Sequence, residues 1–178
     1  MKIKCKSFCY RDKCSEQEIV IFPNVLQHFH KNRQSTSLAA EVGGQLFARI
    51  LSKRVYICLA TGPAIDDKRG RFWFVPNQKR QNDEIRKHFQ EGLHFVGDWH
   101  THPEPVPNPS ETDLASMADC FNKSRHQLKS FVMVIVGQTD FPAGLWVSLH
   151  NKRGSWQFFP SPVVAGEPAG TPSFSGKA

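Results

Sequence analysis

Residues 98–113 read Asp-Trp-His-Thr-His-Pro-Glu-Pro-Val-Pro-Asn-Pro-Ser-Glu-Thr-Asp, and few folds can accommodate such a run. The residues leading into it, Gly-Leu-His-Phe-Val-Gly from position 92, mix apolar and small side chains as a strand nearing its end does. Side chains alternate along a strand, so His100 and His102 share one face while Trp99 and Thr101 take the other. Pro103 has no N–H to donate and stops the ladder there. Pro105, Pro107 and Pro109 stiffen the exit, and a stiff loop loses little entropy in delivering a residue to a fixed place. The residue it delivers is Asp113. Two imidazoles and a carboxylate are three protein ligands for Zn²⁺, with the fourth tetrahedral position left to water, which is the catalytic pattern rather than the closed structural one.

Each piece also has a plainer explanation. A His-x-His pair alone is usually two ordinary strand histidines. Ser110-Glu-Thr-Asp113 is a good helix start, with Ser110 as N-cap and Asp113 as its reciprocal partner. Leu114, Met117, Ala118 and Phe121 then recur at helical spacing and form one apolar face. Capping accounts for Ser110 and Asp113, but not for their place just after His-x-His-Pro at a strand end. The combination is far more specific than its parts, and it favours a metal site.

His100-x-His102-Pro103, six residues, Ser110, two residues and Asp113 together resemble the signature of the JAMM (MPN+ or JAB) zinc metallopeptidases. That family also needs an upstream glutamate before a small-residue pair and an apolar strand. Glu41-Val-Gly-Gly-Gln-Leu-Phe matches it, and the resemblance spans roughly residues 15 to 160. It implies one Zn²⁺ on His100, His102 and Asp113, with Glu41 as general base. It implies further that the Ser110 hydroxyl donates to the oxyanion of a hydrolysed peptide or isopeptide bond. Asp98 is expected to accept from the outer N–H of a ligand histidine. The substrate implied is a protein whose C-terminal tail is conjugated to another, such as a ubiquitin-like modifier. Within the family, the chain resembles the bacterial branch of CBASS anti-phage operons, which releases a cGAS-like nucleotidyltransferase (CD-NTase) from its conjugates. A peptidase that processes a ubiquitin-like or sulfur-carrier precursor is the alternative enzyme. A non-catalytic scaffold is the alternative of another class, and the complete donor set argues against it.

The rest of the chain is consistent with a single domain. At 178 residues, 39% hydrophobic and 22% charged, it can bury its own core. A strand is expected to end at Phe22, then a helix from Pro23 with Val25, Leu26, Phe29 and Arg33 on one face and His28 and His30 turned to solvent. Gln34 to Ser37 read as a polar turn into a strand carrying Glu41. The Gly43-Gly44 pair in that strand suggests a bulge, or close approach of a substrate backbone. Val55–Ala60 is a partner strand, 61–70 a loop, Arg71–Val75 an aromatic strand and 77–90 an amphipathic helix. Phe131–Val136 is a buried central strand, and Leu145–Leu149 and Ser155–Phe159 are the last two. Interleaved strands and helices make the class α/β or α+β, and the resemblance implies a mixed, curled sheet flanked by helices. Residues 1–159 form the domain, and 160–178, with four Pro and three Gly, a flexible tail.

Five cysteines at positions 5, 9, 14, 58 and 120 suit no disulfide framework, and their spacing suits no second metal site; they favour a reducing cytosol. No apolar run reaches the roughly 18 residues of a membrane helix, so no membrane partner is expected and the localisation is cytoplasmic. The formal charge of +7 gathers between Lys68 and Lys87 and near Lys123 to Lys129. It lacks aromatic interleaving or a nucleic-acid module, so it reads as a solvated face, then as a surface for an acidic protein, and not as a nucleic-acid site.

Overall fold

The computed structural model describes residues 6–12, 16–36 and 38–162. Along them run β1 (Phe8–Arg11), β2 (Glu18–Ile21), α1 (Pro23–Lys31), β3 (Gly43–Leu51), β4 (Arg54–Ala60), β5 (Lys68–Gly70), β6 (Trp73–Val75), α2 (Gln78–Gln90), β7 (His94–Thr101), α3 (Glu111–Lys123), β8 (Phe131–Val136), β9 (Leu145–Asn151) and β10 (Gly154–Ser161). The expected mixed sheet flanked by helices is present, and its curl goes to completion. Eight strands pair in a closed ring, β1-β10-β9-β8-β7-β3-β4-β2, while β5 and β6 form a separate two-stranded hairpin. Closure leaves the ring no unpaired edge.

Two pairs in the ring are parallel, β2 with β4 and β7 with β8; the others are antiparallel. Parallel neighbours need a long crossover. For β7 and β8 that crossover is the proline loop followed by α3, so chemistry at the end of β7 faces the start of a helix. Ligand sites in open parallel sheets lie at such carboxyl ends.

β8 is buried on both faces, which is why it reads as an unbroken apolar run. Val132, Val134 and Val136 join the main core with Trp99, Leu46 and Ile57, and α1 adds Val25, Leu26 and Phe29. Phe131, Met133 and Ile135 face outward and are covered by Met117 and Phe121 of α3. Under α2, Phe47, Tyr56, Cys58 and Leu93 form a third cluster. No helix among the described residues is long and apolar enough to cross a membrane.

Several local expectations need correction. The glutamate segment is not strand: β3 begins at Gly43, two residues after Glu41. Its register shifts fall at Leu46/Phe47 against β7 and Phe47/Ala48 against β4, not at the glycine pair. Gly44 is needed because a Cβ there would stand 1.9 Å from the Thr61 carbonyl oxygen, so the close approach is by the chain's own backbone. Residues 68–70, read as loop, pair with 73–75 as a hairpin. α1 ends at Lys31, and Arg33 lies beyond it with its guanidinium 4.3 Å from the Phe141 ring centroid. β10 runs to Ser161, two residues past the expected boundary, where it pairs with Cys9 of β1. The tail beyond 162, Cys5 and Cys14 lie outside the described residues. Cys9 and Cys58 are buried as free thiols, and Cys120 is half-buried.

Candidate metal centre

His100 is the next-to-last residue of β7, and His102 follows just beyond its end. The backbone stays in the ladder long enough to orient both, since His102 N–H donates to the Val136 carbonyl at 3.0 Å. The expected alternation holds. Trp99 and Thr101 are buried on the inner face, and the two imidazoles face each other on the outer one with their Nε2 atoms 3.2 Å apart.

α3 supplies the third donor. Asp113 places Oδ1 3.2 Å from His100 Nε2 and Oδ2 3.3 Å from His102 Nε2. Its carboxylate is aimed by the helix cap: Ser110 N–H and Ser110 Oγ–H each donate to Oδ2 at 2.7 Å, and Asp113 N–H donates back to Ser110 Oγ at 3.2 Å. Capping and site construction are therefore one arrangement, and the two explanations of Ser110 and Asp113 do not compete.

The donor set fits Zn²⁺. A tetrahedral centre with Zn–N near 2.0–2.1 Å sets its ligand atoms about 3.3 Å apart; the two imidazole nitrogens stand 3.2 Å apart, and Asp113 approaches each through a different carboxylate oxygen, at 3.2 and 3.3 Å. Burial acts to raise the Asp113 carboxyl, but hydrogen bonding to both histidines and to Ser110 outweighs it and holds the group far below the usual range. His102 shows the counterpart: burial disfavours its cation, yet Asp113, Glu41 and Glu104 leave its pKa raised.

Glu41 completes the constellation from the other side. Buried at 8% exposure, it converges with His100 and His102, their donor atoms lying within 4.8 Å of one another, so these residues could hold a metal ion. Burial raises its carboxyl pKa, the two imidazoles pull it down and Asp113 pushes it up; the net shift is upward. A raised carboxylate is the better proton acceptor.

These residues line an open cleft of about 670 Å³. The hairpin turn and β6 also line it, with Phe72, Trp73, Phe74 and Val75, as do Met117, Met133 and Asp98. Asp98 does not do what the spacing suggests. Among the described residues no histidine is its partner: Oδ1 is buried without a hydrogen bond, and the Cys120 thiol lies 4.0 Å from Oδ2. Burial pushes its carboxyl up to about 7. His28 is not turned to solvent; it packs edge-on to Trp99 at 5.2 Å, and burial lowers its pKa. His30 is exposed.

Two contributions escaped the sequence reading. The aromatic run at 72–75 was legible as a strand, but nothing local placed it across from the histidines. Gln34, in a stretch that reads as a polar turn, is 1% exposed and joins several segments around the site. Its composition carries no such signal.

Residues 23–150 match the model of the prokaryotic homologs of the JAB domain. The chain is 27% identical over 141 residues to a CD-NTase/cGAS isopeptidase of Escherichia coli, covering 78% of this chain and 85% of that protein. It is 30% identical over 131 residues to the CD-NTase/cGAS isopeptidase of Vibrio cholerae, covering 71% and 80%. Against that of Pseudomonas aeruginosa it is 30% identical over 143 residues, covering 79% and 87%. The solution structure of protein DSY2949 from Desulfitobacterium hafniense superposes with a TM-score of 0.57 at 17% identity, over 78% of this chain and 88% of that one, a likeness of fold.

Proposed function

The chain belongs to the prokaryotic homologs of the JAB domain, and from that premise we propose that it is a zinc-dependent isopeptidase that frees a CD-NTase from the protein joined to its C-terminus. The observation that carries this reading is the clustering of the His100 and His102 imidazoles with the Asp113 carboxylate and Glu41. The substrate follows the relatives, CD-NTase/cGAS isopeptidases that this chain matches over 80–87% of their length.

His100, His102 and Asp113 would hold the ion, which when bound supplies Lewis acidity and draws the pKa of a water toward about 7. Glu41 takes the proton of the attacking water on its carboxylate and later hands it to the departing amine, so the amide C–N bond breaks with the proton accounted for. Ser110 lines the cleft; its hydroxyl turns from Asp113 toward the developing oxyanion, and one such donor is worth on the order of 3 kcal/mol. Phe72, Trp73 and Phe74 give an extended tail an apolar wall and exclude water from the reacting bond.

The test is a CD-NTase fused through its C-terminus to a reporter protein. Cleavage after the last CD-NTase residue, abolished by 1,10-phenanthroline and restored by zinc, is the expected result. Cutting of a ubiquitin-like fusion but not the CD-NTase fusion would move the substrate assignment, and cleavage of neither would end the enzymatic reading.

A further inference from the structure

Gln34 uses every polar atom of its side chain. Nε2 donates to the carbonyls of Ala39 and Arg71, both at 3.1 Å, and Oε1 accepts from the Thr101 hydroxyl at 3.0 Å. Its backbone carbonyl also accepts from Gln138 Nε2 at 2.8 Å. Thr101 stands between the two histidines in sequence but points inward, wholly buried. Its Oγ1 accepts from the Val42 N–H at 3.1 Å, and its own N–H donates to the Val42 carbonyl at 2.8 Å. Val42 follows Glu41, whose N–H donates to the Gly70 carbonyl at 2.7 Å.

Glu41 lies outside β3; backbone pairing with β7 reaches only as far as Val42, through the Thr101 N–H. Glu41 is held by Thr101 on one side and the β5–β6 hairpin on the other, and the carboxamide of Gln34 joins the two. Resting on the isopeptidase reading above, we infer that Gln34 is a positioning residue for Glu41, acting through Thr101 to fix the glutamate's distance from the histidine pair. A carboxamide suits the place because it offers two donors to two carbonyls and one acceptor to a hydroxyl. Glutamate would set acceptors against carbonyls, and methionine would leave them unmet.

The linkage separates placement of the base from metal binding. His100, His102 and Asp113 are oriented by the backbone pairing of the β7 end with β8 and by the α3 cap, neither of which runs through the Gln34 carboxamide. Loss of Gln34 therefore displaces Glu41 while the donor triangle stands. A buried amide with only a packing role would instead change stability alone.

Four variants decide it: Gln34→Met, Thr101→Val, their double, and Thr101→Ser, which keeps the hydroxyl. On the CD-NTase fusion, Gln34→Met and Thr101→Val are expected to lower kcat about 10- to 100-fold with KM within about twofold. Zinc content should stay at one ion per chain. The double variant should lose no more than about threefold beyond either single, since both cut the same relay, and Thr101→Ser should restore kcat to within about threefold. In zinc-free protein, amide exchange at Val42 should quicken about 10- to 100-fold in Thr101→Val and Gln34→Met, with β8 amides unchanged. Unchanged Val42 exchange, unaltered kcat in zinc-loaded variants, or failure of Thr101→Ser to rescue would overturn the inference. If wild type cuts no fusion, the isopeptidase reading fails, and Val42 exchange still decides whether the relay exists.

Discussion

Asp113 closes a helix cap and at the same time presents its carboxylate to two imidazoles. The same four-residue spacing serves both, so the motif could be read from sequence without knowing which task it performed. Separate tasks for the other donors can be tested. Glu41→Ala should keep zinc and lose at least about 10³-fold in kcat, whereas His102→Ala should lose the metal and activity together; metal analysis beside a turnover assay distinguishes them, and full activity in Glu41→Ala would remove the assigned base. Elsewhere, His150 is nearly inaccessible, bonded through Nε2 to Ser148 Oγ at 2.8 Å, which in turn accepts from Trp146 Nε1 at 3.1 Å. Burial lowers its pKa from 6.5 to about 4. The folded state then resists a proton that the unfolded chain takes up, so stability falls as pH drops from about 6.5 to about 4 and levels off below. A loss on the order of 3 kcal/mol is expected across that window. Urea unfolding of zinc-free protein at pH 7.5 and pH 4.5 should show a smaller loss in His150→Gln; equal losses would put the pH dependence elsewhere.

β3 shows how an element can be recognised while its details go astray. Its apolar run and glycine pair were plain, but the reason for the pair lay in residues far along the chain. Gly44 touches the Thr61 carbonyl, and the same carbonyl accepts from the Trp99 indole at 2.9 Å. Gly44→Ala must push that backbone aside and break the seat of Trp99 beneath the histidines, costing on the order of 2–4 kcal/mol. Thermal melting should register this as a drop of roughly 5–15 °C; an unchanged midpoint would mean the strand absorbs the methyl. The hairpin of β5 and β6 was half-seen, because three-residue strands carry too little periodicity to show. Its neighbour Asp67 takes Ala64 N–H at 2.6 Å and Asn77 N–H at 3.1 Å and pairs with Arg80, which also reaches Asp66 and Glu84. Arg80 in the basic stretch between 68 and 87 is thus engaged within the fold and is less available to an outside partner.

The ring of strands depends on contacts between the chain's two ends. β1 joins β10 on one side and β2 on the other, and Phe158 of β10 belongs to the main core at 3% exposure. Removing residues 152–178 should open the barrel beside β9, abolish cooperative unfolding and cost zinc binding as well, measured by calorimetry and metal content. Removing only 163–178 should leave the midpoint within about 2 °C, the expected outcome if the domain closes at β10. The kinds of element, most of their limits and the side chains that converge at the end of β7 were legible in the linear chain. Local physics marks the elements and the His100, His102 and Asp113 cluster, through side-chain alternation, missing proline N–H groups and a reciprocal cap, whereas Glu41 was singled out by the resemblance to the JAMM family. Three things were settled only by tertiary contact. Closure of the sheet, the aromatic lining of the cleft that also holds the histidines and the burial of Gln34 each join residues whose separation in sequence ranges from about thirty to more than a hundred positions. No neighbour in sequence constrains such pairings; they arise when packing brings distant backbone groups together and each buried donor must find an acceptor.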